Sequence, residues 1–252
     1  MKIFSICLFL ICFNLRAQNV VIKYKFRFSP IKEEYNSQLS TNGVESKFEI
    51  FEKNNLDSLS FQKESNGQDS ILKNKIIYNR VVFKKINSDH INVELLKPNF
   101  SKTTELIKII DNEQIKWNIT NESKLILNNL CFKATGIFKN KKYEAWYCPH
   151  IKYSDGPWKF RGLPGLILSI ESIDNQLKIN AYEITQSNED ILYSRTEYTK
   201  SFTWLEYIEY CKIYLIKLKS SLMADSNDLD NLKTEIDVAV IDPDFRIDLK
   251  LK

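Results

Sequence analysis

The chain has 252 residues, of which 43% are hydrophobic and 27% charged, and a formal net charge of +4. That is enough for one large domain or two small ones. The slight positive excess, spread without a basic run or face, argues against a nucleic-acid-binding protein. Past the first residues, no apolar segment approaches the ~20 residues a membrane-spanning helix needs.

Residues 1–17 read as a cleavable export signal. Lys2 supplies the positive start, Ile3 to Phe13 are almost all apolar, and Ala17 places a small residue before the cut. Cys7 follows Ile6 and Cys12 follows Ile11, so neither sits in a lipid-anchor context. The expected mature chain, 18–252, is a single soluble domain in the periplasm or at the cell surface. Loss of Lys2 and Arg16 brings its charge closer to neutral.

Val20 to Phe28 alternates, with Ile22, Tyr24, Phe26 and Phe28 on one side and Lys23, Lys25 and Arg27 on the other, which predicts a half-buried strand. The same period recurs at Phe48/Ile50, Ile91/Val93/Leu95 and Ile115/Trp117/Ile119, between turn clusters such as Thr41-Asn42-Gly43 and Asn66-Gly67. The interspersed lysines are expected on the solvated face of an antiparallel sheet.

Three cysteines remain after the signal. Cys131 and Cys148 flank a predicted hairpin turn around Asn140 at nearly equal distances and are expected to form a disulfide, with Cys211 a buried small hydrophobe. Cys148 and His150 stand two apart, but a metal needs three or four ligands and no others accompany them, so no metal site is expected.

Of six glycines and six prolines in the chain, three glycines and two prolines fall between Gly156 and Gly165. Pro164-Gly165 fits the centre of a type II turn, and Leu166, Leu168 and Ile170 lead into a strand. The run Gly162-Leu163-Pro164-Gly165-Leu166-Ile167 spells the signature of the GLPGLI family, exported proteins of Bacteroidetes whose function is not known. Gly156-Pro157-Trp158, Ala145-Trp146-Tyr147 and Cys131-Phe132-Lys133-Ala134 also resemble that family's pattern, over roughly 130–170. Where the family usually carries threonine this chain has Cys148, which would make the disulfide peculiar to this member. Two readings of the cluster stay open: a rigid corner under Trp158 and Phe160, or a recognition surface formed by Trp158, Phe160, Arg161, Gly162, Leu163, Pro164 and Gly165.

Near the C-terminus, Trp204, Ile208, Cys211, Leu215, Leu218 and Leu222 fall on one helical stripe, opened by a capping box at Thr203/Glu206 and a Phe202–Tyr207 staple. The expected architecture is therefore mainly β (α+β): a curved antiparallel sheet or half-barrel covered by a long C-terminal amphipathic helix. Asp225, Asp228 and Asp230 lack the glycine and distal glutamate of a calcium loop and read as a solvated connection. No nucleophile elbow, zinc helix, phosphate loop or dinucleotide fingerprint occurs, and no cofactor is expected. The expected role is non-enzymatic binding of a protein or peptide partner in the envelope. A carrier of lipid or lipoprotein in an apolar groove is the alternative, and a hydrolase with an unrecognised site the third class.

Overall fold

The computed structural model describes residues 19–29, 33–51, 74–75, 81–96, 106–191, 198, 200–224, 238–242 and 245–249. The export segment, the Asn66-Gly67 turn and the acidic stretch 225–230 lie outside the described residues. The strands are β1 (Asn19–Phe28), β2 (Glu33–Thr41), β3 (Glu45–Phe51), β4 (Asn74–Lys75), β5 (Val81–Lys85), β6 (Ile91–Leu96), β7 (Leu106–Asp111) and β8 (Lys116–Ile126). They continue with β9 (Asn129–Phe138), β10 (Lys141–Cys148), β11 (Leu166–Ser172), β12 (Leu177–Ser187) and β13 (Lys200–Thr203). Helix α1 (Trp204–Ala224) follows β13 directly, and β14 (Val238–Asp242) and β15 (Phe245–Leu249) come last.

Twelve strands make one sheet in the order β13-β7-β6-β5-β3-β2-β1-β12-β11-β10-β9-β8, antiparallel except for the β13–β7 edge pair, and β15-β14-β4 form a small second sheet. Local chemistry sets these elements. In β1 the side chains of Ile22, Tyr24, Phe26 and Phe28 are buried while Lys25 and Arg27 are exposed. Between β2 and β3, the Asn42 Oδ1 accepts the N–H groups of Val44 and Glu45 at 2.9 and 2.8 Å, and Gly43 takes a φ of 82°. The β9–β10 hairpin turns on Lys139-Asn140, with φ values of 49° and 60°, as the signal around Asn140 predicts.

The sheet curls strongly without closing. Nine inter-strand steps separate β7 from β9, about 43 Å if the sheet were flat. Yet Lys139, just after β9, contacts Asp111 at the end of β7 at 2.9 Å, which holds their backbones within roughly 12 Å. Edge strands β13 and β8 remain unpaired with each other.

The concave face is filled by the segment joining β10 to β11. Trp158, fully buried, lies edge-on to Phe26 and Phe48 with ring centroids 6.1 and 6.3 Å away, while Phe160 packs on Phe138 and Tyr143 at 5.9 and 4.9 Å. Two residues of one loop thus bridge the β1–β3 side of the curl to its β9–β10 side.

This corrects the expected architecture. The capping box is present, with the Thr203 N–H donating to Glu206 Oε2 at 2.7 Å and the Glu206 N–H to Thr203 Oγ1 at 3.3 Å. The helix, however, does not cover the sheet face and is no amphipathic lid. It packs along the β13–β7 edge and beside β14 and β15, and Leu205 (77%), Ile213 (46%) and Ile216 (54%) are exposed on it. Burial along the predicted stripe holds at Trp204 and Cys211, with Tyr207 and Tyr214 joining them. The concave face has no room for a helix because the loop already occupies it. The lysines also depart from expectation, because Lys84 and Lys159 are buried rather than solvated.

Replacing Trp158 by alanine should destabilise the fold by about 3–5 kcal/mol, the range for losing a buried tryptophan ring. Urea denaturation followed by circular dichroism would register this as a lower midpoint; an unchanged midpoint would refute the role of the loop as the core's filling.

Candidate functional site

The segment from Pro149 to Gly165 is held against the sheet by its own backbone and by two buried ionic clamps. The Asp155 N–H donates to Tyr153 O and the Phe160 N–H to Pro157 O, at 2.8 and 3.1 Å, while the Ile167 N–H returns to Asp155 O at 2.9 Å. Gly165 donates to Leu163 O at 2.8 Å across Pro164 alone, a tighter closure than the expected type II turn. Trp158 has a φ of 54°, an outlier for a bulky residue that its surroundings must enforce.

The first clamp joins β5 to the loop. Lys84 Nζ lies 2.6 Å from Asp155 Oδ1 with both side chains fully buried, and it also donates to Gly156 O. Burial pulls the Lys84 pKa below that of an ordinary lysine, and the adjacent Asp155 carboxylate only partly opposes this. Tyr24 OH donates to Ile167 O at 2.8 Å next to this pair, and burial followed by the Asp155 charge raises its pKa well above the usual value.

The second clamp joins β7 to the loop and to the β9–β10 turn. Asp111 accepts Lys159 at Oδ2 and Lys139 at Oδ1, both at 2.9 Å. Burial alone would raise the Asp111 pKa; the Lys159 charge and the Lys139 contacts outweigh it and bring the pKa below the usual carboxylate value. Trp204, the first residue of α1, lies over this cluster with Lys159 Nζ 3.8 Å and Lys139 Nζ 5.0 Å from its ring centroid.

Just past the second clamp the loop reaches the surface at Arg161 and Gly162. The Arg161 guanidinium donates to Lys85 O and Ser88 O at 2.8 and 2.7 Å, and Arg161 O accepts the Trp117 Nε1–H at 2.8 Å. These contacts floor an open polar cleft of about 230 Å³, whose walls are the turn 86–89, Glu113 to Ile115, and Ser154. The cleft's cations are engaged already, Lys159 with Asp111 and Arg161 with backbone carbonyls. Its rim carries the exposed Asp89, Glu113 and Gln114.

Of the seven predicted surface residues, Trp158, Phe160, Leu163 and Gly165 are buried, Arg161 is half-buried, and Gly162 and Pro164 are exposed. Only Arg161 and Gly162 line the cleft. Sequence reasoning missed Lys84, Asp111, Lys139, Asp155 and Lys159, and it also missed the turn 86–89. Cys131 and Cys148 are brought together as next-rung neighbours of the pair Phe132↔Tyr147, yet both are free thiols, which corrects the expected disulfide. Burial, then the neighbouring Cys148, pushes the Cys131 thiol up to about 12, so it is a packed side chain rather than a reactive thiolate. His150 is exposed beyond the turn at Pro149 while Cys148 is buried, and among the described residues no group of three or more His, Cys, Asp or Glu is placed to hold a metal ion.

Residues 135–169, from the middle of β9 to the middle of β11, match the model of a family described as "Protein of unknown function (Porph_ging)". That description does not carry the GLPGLI name. None of the curated proteins matches the sequence. Among solved structures, PNGF-II in space group C2 is similar at 16% identity with a TM-score of 0.52, over 90% of this chain and 35% of that one. The same protein in space group P21 gives 16% and 0.50, over 90% and 36%. This chain therefore spans about a third of the length of PNGF-II, and at that identity the likeness concerns the fold alone. Among the described residues no helix is long and apolar enough to cross a membrane.

Two outcomes follow from this geometry. A Cβ at position 165 would lie 2.3 Å from Cys148 O, whereas at position 162 the nearest atom is 3.8 Å away and only the φ of 92° is unfavourable. Gly162→Ala should then cost about 1–2 kcal/mol while Gly165→Ala prevents folding, and equal denaturation midpoints for the two would contradict it. The low Asp111 pKa stabilises the fold fully above the unfolded carboxylate value of about 3.9, and this contribution is lost as pH falls through the still lower folded value. Asp111→Asn should flatten that acid limb of a stability-versus-pH curve and cost about 3–5 kcal/mol at neutral pH, because the buried Lys159 loses that carboxylate, whereas Lys139 keeps Glu113.

Proposed function

We propose that this chain is an exported, non-enzymatic binding protein of the cell envelope. In this reading it works as one domain over 18–252 after removal of residues 1–17, and it holds a short donor-rich segment of a protein or peptide partner in the Arg161–Gly162 cleft. The observation that carries it is the polarity of that cleft. Lys159 is paired with Asp111 and two Arg161 donors are spent on backbone carbonyls, while the exposed Asp89 at the rim, within the field of Arg161, accepts one 3.5 Å contact from Gln114 Nε2. The acceptors left at the rim of this cleft suit amide N–H groups. Two buried clamps and a loop bonded to itself hold the floor in place, which lowers the ordering cost of binding.

The match over 135–169 agrees with this placement, since that stretch contains the loop that floors the cleft. A second reading, carriage of a lipid or lipoprotein, rests on a separate cavity of about 490 Å³, where Val20, Ile151, Tyr153 and Ile184 supply apolar lining beside His150 and Lys152. Lipid extraction of the exported protein tests that reading, and a sample free of stoichiometric lipid would end it.

For the leading reading, a photo-crosslinking side chain at Gln114 should trap a discrete envelope partner in exporting cells, and Asp89→Asn should weaken the trapping several-fold. The same group at Lys142, exposed on β10, should not trap that partner. Identical products from both positions, or none from Gln114, would sink the proposal.

A further inference from the structure

The β8–β9 hairpin places leucines where its geometry favours polar residues. Its turn residues, Leu127 and Asn128, have φ values of 49° and 61°, nearly the same as Lys139 and Asn140 in the adjoining β9–β10 turn. A two-residue turn with left-handed backbone at both positions suits Asn, Asp or Gly and disfavours a branched apolar side chain. Leu127 is nonetheless there and 39% exposed. The cross-strand pair Leu125↔Leu130 lies just behind it, 70% and 40% exposed. Three leucines therefore project from the tip of this hairpin, Leu127 at some conformational cost.

What lies behind them has a definite chemistry. Lys124, one rung back from the leucine pair, sits with its Nζ 4.0 Å from the Trp146 ring centroid. Between Ser123 and Lys133 the sequence has no acidic residue. Lys133 is paired with Glu122 and Glu144, at 3.3 and 3.1 Å, and Lys124, in the field of Glu171 and Glu144 but with no carboxylate at ion-pair distance among the described residues, is the cation nearest the tip. The order from the end inward is thus leucine, then lysine and tryptophan. It is the order of a peripheral membrane contact, in which aliphatic side chains enter the acyl boundary while an amphipathic ring and a cation stay at headgroup depth.

We infer that the β8–β9 tip is a membrane-surface contact, inserting Leu125, Leu127 and Leu130 into the interface of an anionic phospholipid bilayer with Lys124 and Trp146 at the headgroups. A second copy of the chain fits less well. Three side chains fall far short of the ~1,200 Å² that a stable protein interface buries, and the tip is convex rather than grooved. The inference goes beyond the proposed binding role and does not depend on it. Ile115 at the cleft immediately precedes β8 and Leu125 lies near its far end; Lys116 and Leu125 pair with Ile137 and Leu130, which are roughly 24 Å apart along β9. A molecule standing on this tip would hold its cleft away from the bilayer.

The test is flotation of the purified protein with vesicles of equal parts phosphatidylcholine and phosphatidylglycerol. Wild type is compared with the Leu125→Thr/Leu127→Asn double variant and with Leu127→Asn alone; any effect of the N-terminal apolar run is common to all three. Asparagine suits the left-handed turn, so Leu127→Asn should melt at or above the wild-type temperature, and the double variant should partition onto vesicles about tenfold less. Wild type that stays in the unbound fraction overturns the inference, as does a folded double variant that floats equally well. A tip whose mutation abolishes capture of an envelope protein while wild type ignores vesicles would belong to a protein partner, and the lipid assignment would be wrong.

Discussion

Charge buried beneath one loop is the constraint on which this structure depends. Lys84 and Asp155 are both fully buried, and so, within one per cent, are Asp111 and Lys159. Removing such ions from water costs several kcal/mol each, and contact between them recovers that cost only when the geometry is held. The loop partners, Asp155 and Lys159, are four residues apart, whereas their sheet partners stand on β5 and β7 with β6 between them. Both pairs can close only with the loop lying in one register across these strands. Apolar side chains would fill the same space without dictating that register, and ion pairs do not slide.

From this register the rest of the curl follows. With the loop pinned on the β5–β7 side, Trp158 falls against Phe26 and Phe48, and Phe160, two residues on, faces Phe138 and Tyr143. Lys139 then completes the arc by reaching Asp111 from the far side. The glycines make the close approaches that this demands, Gly165 against the Cys148 carbonyl and Gly156 against Ile167. The stretch matched by the family of unknown function, 135–169, comprises this loop with the strand segments on either side. In this chain that stretch fills the curled sheet from within, and such an architecture alone does not name a ligand.

The sequence made visible what has a period or a turn rule. The β1 alternation, the Asn42-Gly43 turn, the β9–β10 hairpin and the Thr203/Glu206 cap are all local patterns, and each appears where its residues predict. The sequence could not reveal which lysines are buried. Lys84 and Lys85 are neighbours of the same type, yet Lys84 is buried and Lys85 exposed, and only the position of Asp155, seventy-one residues away, decides between them. The helix failed for a related reason: an apolar stripe announces that a face must be covered, not that the concave surface is already full. For the cysteines, spacing located the neighbouring rungs correctly but could not decide whether a bond forms.

The same burial also bears on the proposed site. A cleft floored by a lysine and an arginine would, on composition, attract carboxylates or phosphates. Here Lys159 is turned inward to Asp111, while Arg161 has two donors on the carbonyls of Lys85 and Ser88 and keeps its charge, which the carboxylates of Asp155, Asp89 and Asp111 favour. Glu113 is partly satisfied by Lys139, through the N–H at 2.8 Å and Nζ at 2.8 Å. Asp89 accepts one long contact from Gln114 and lies within the field of Arg161, so acceptor capacity is left at the rim. Fixing the loop thus takes hydrogen-bond donors away from the cleft and leaves acceptors at its rim, so the interactions that build the core also bear on what kind of group the surface above it favours.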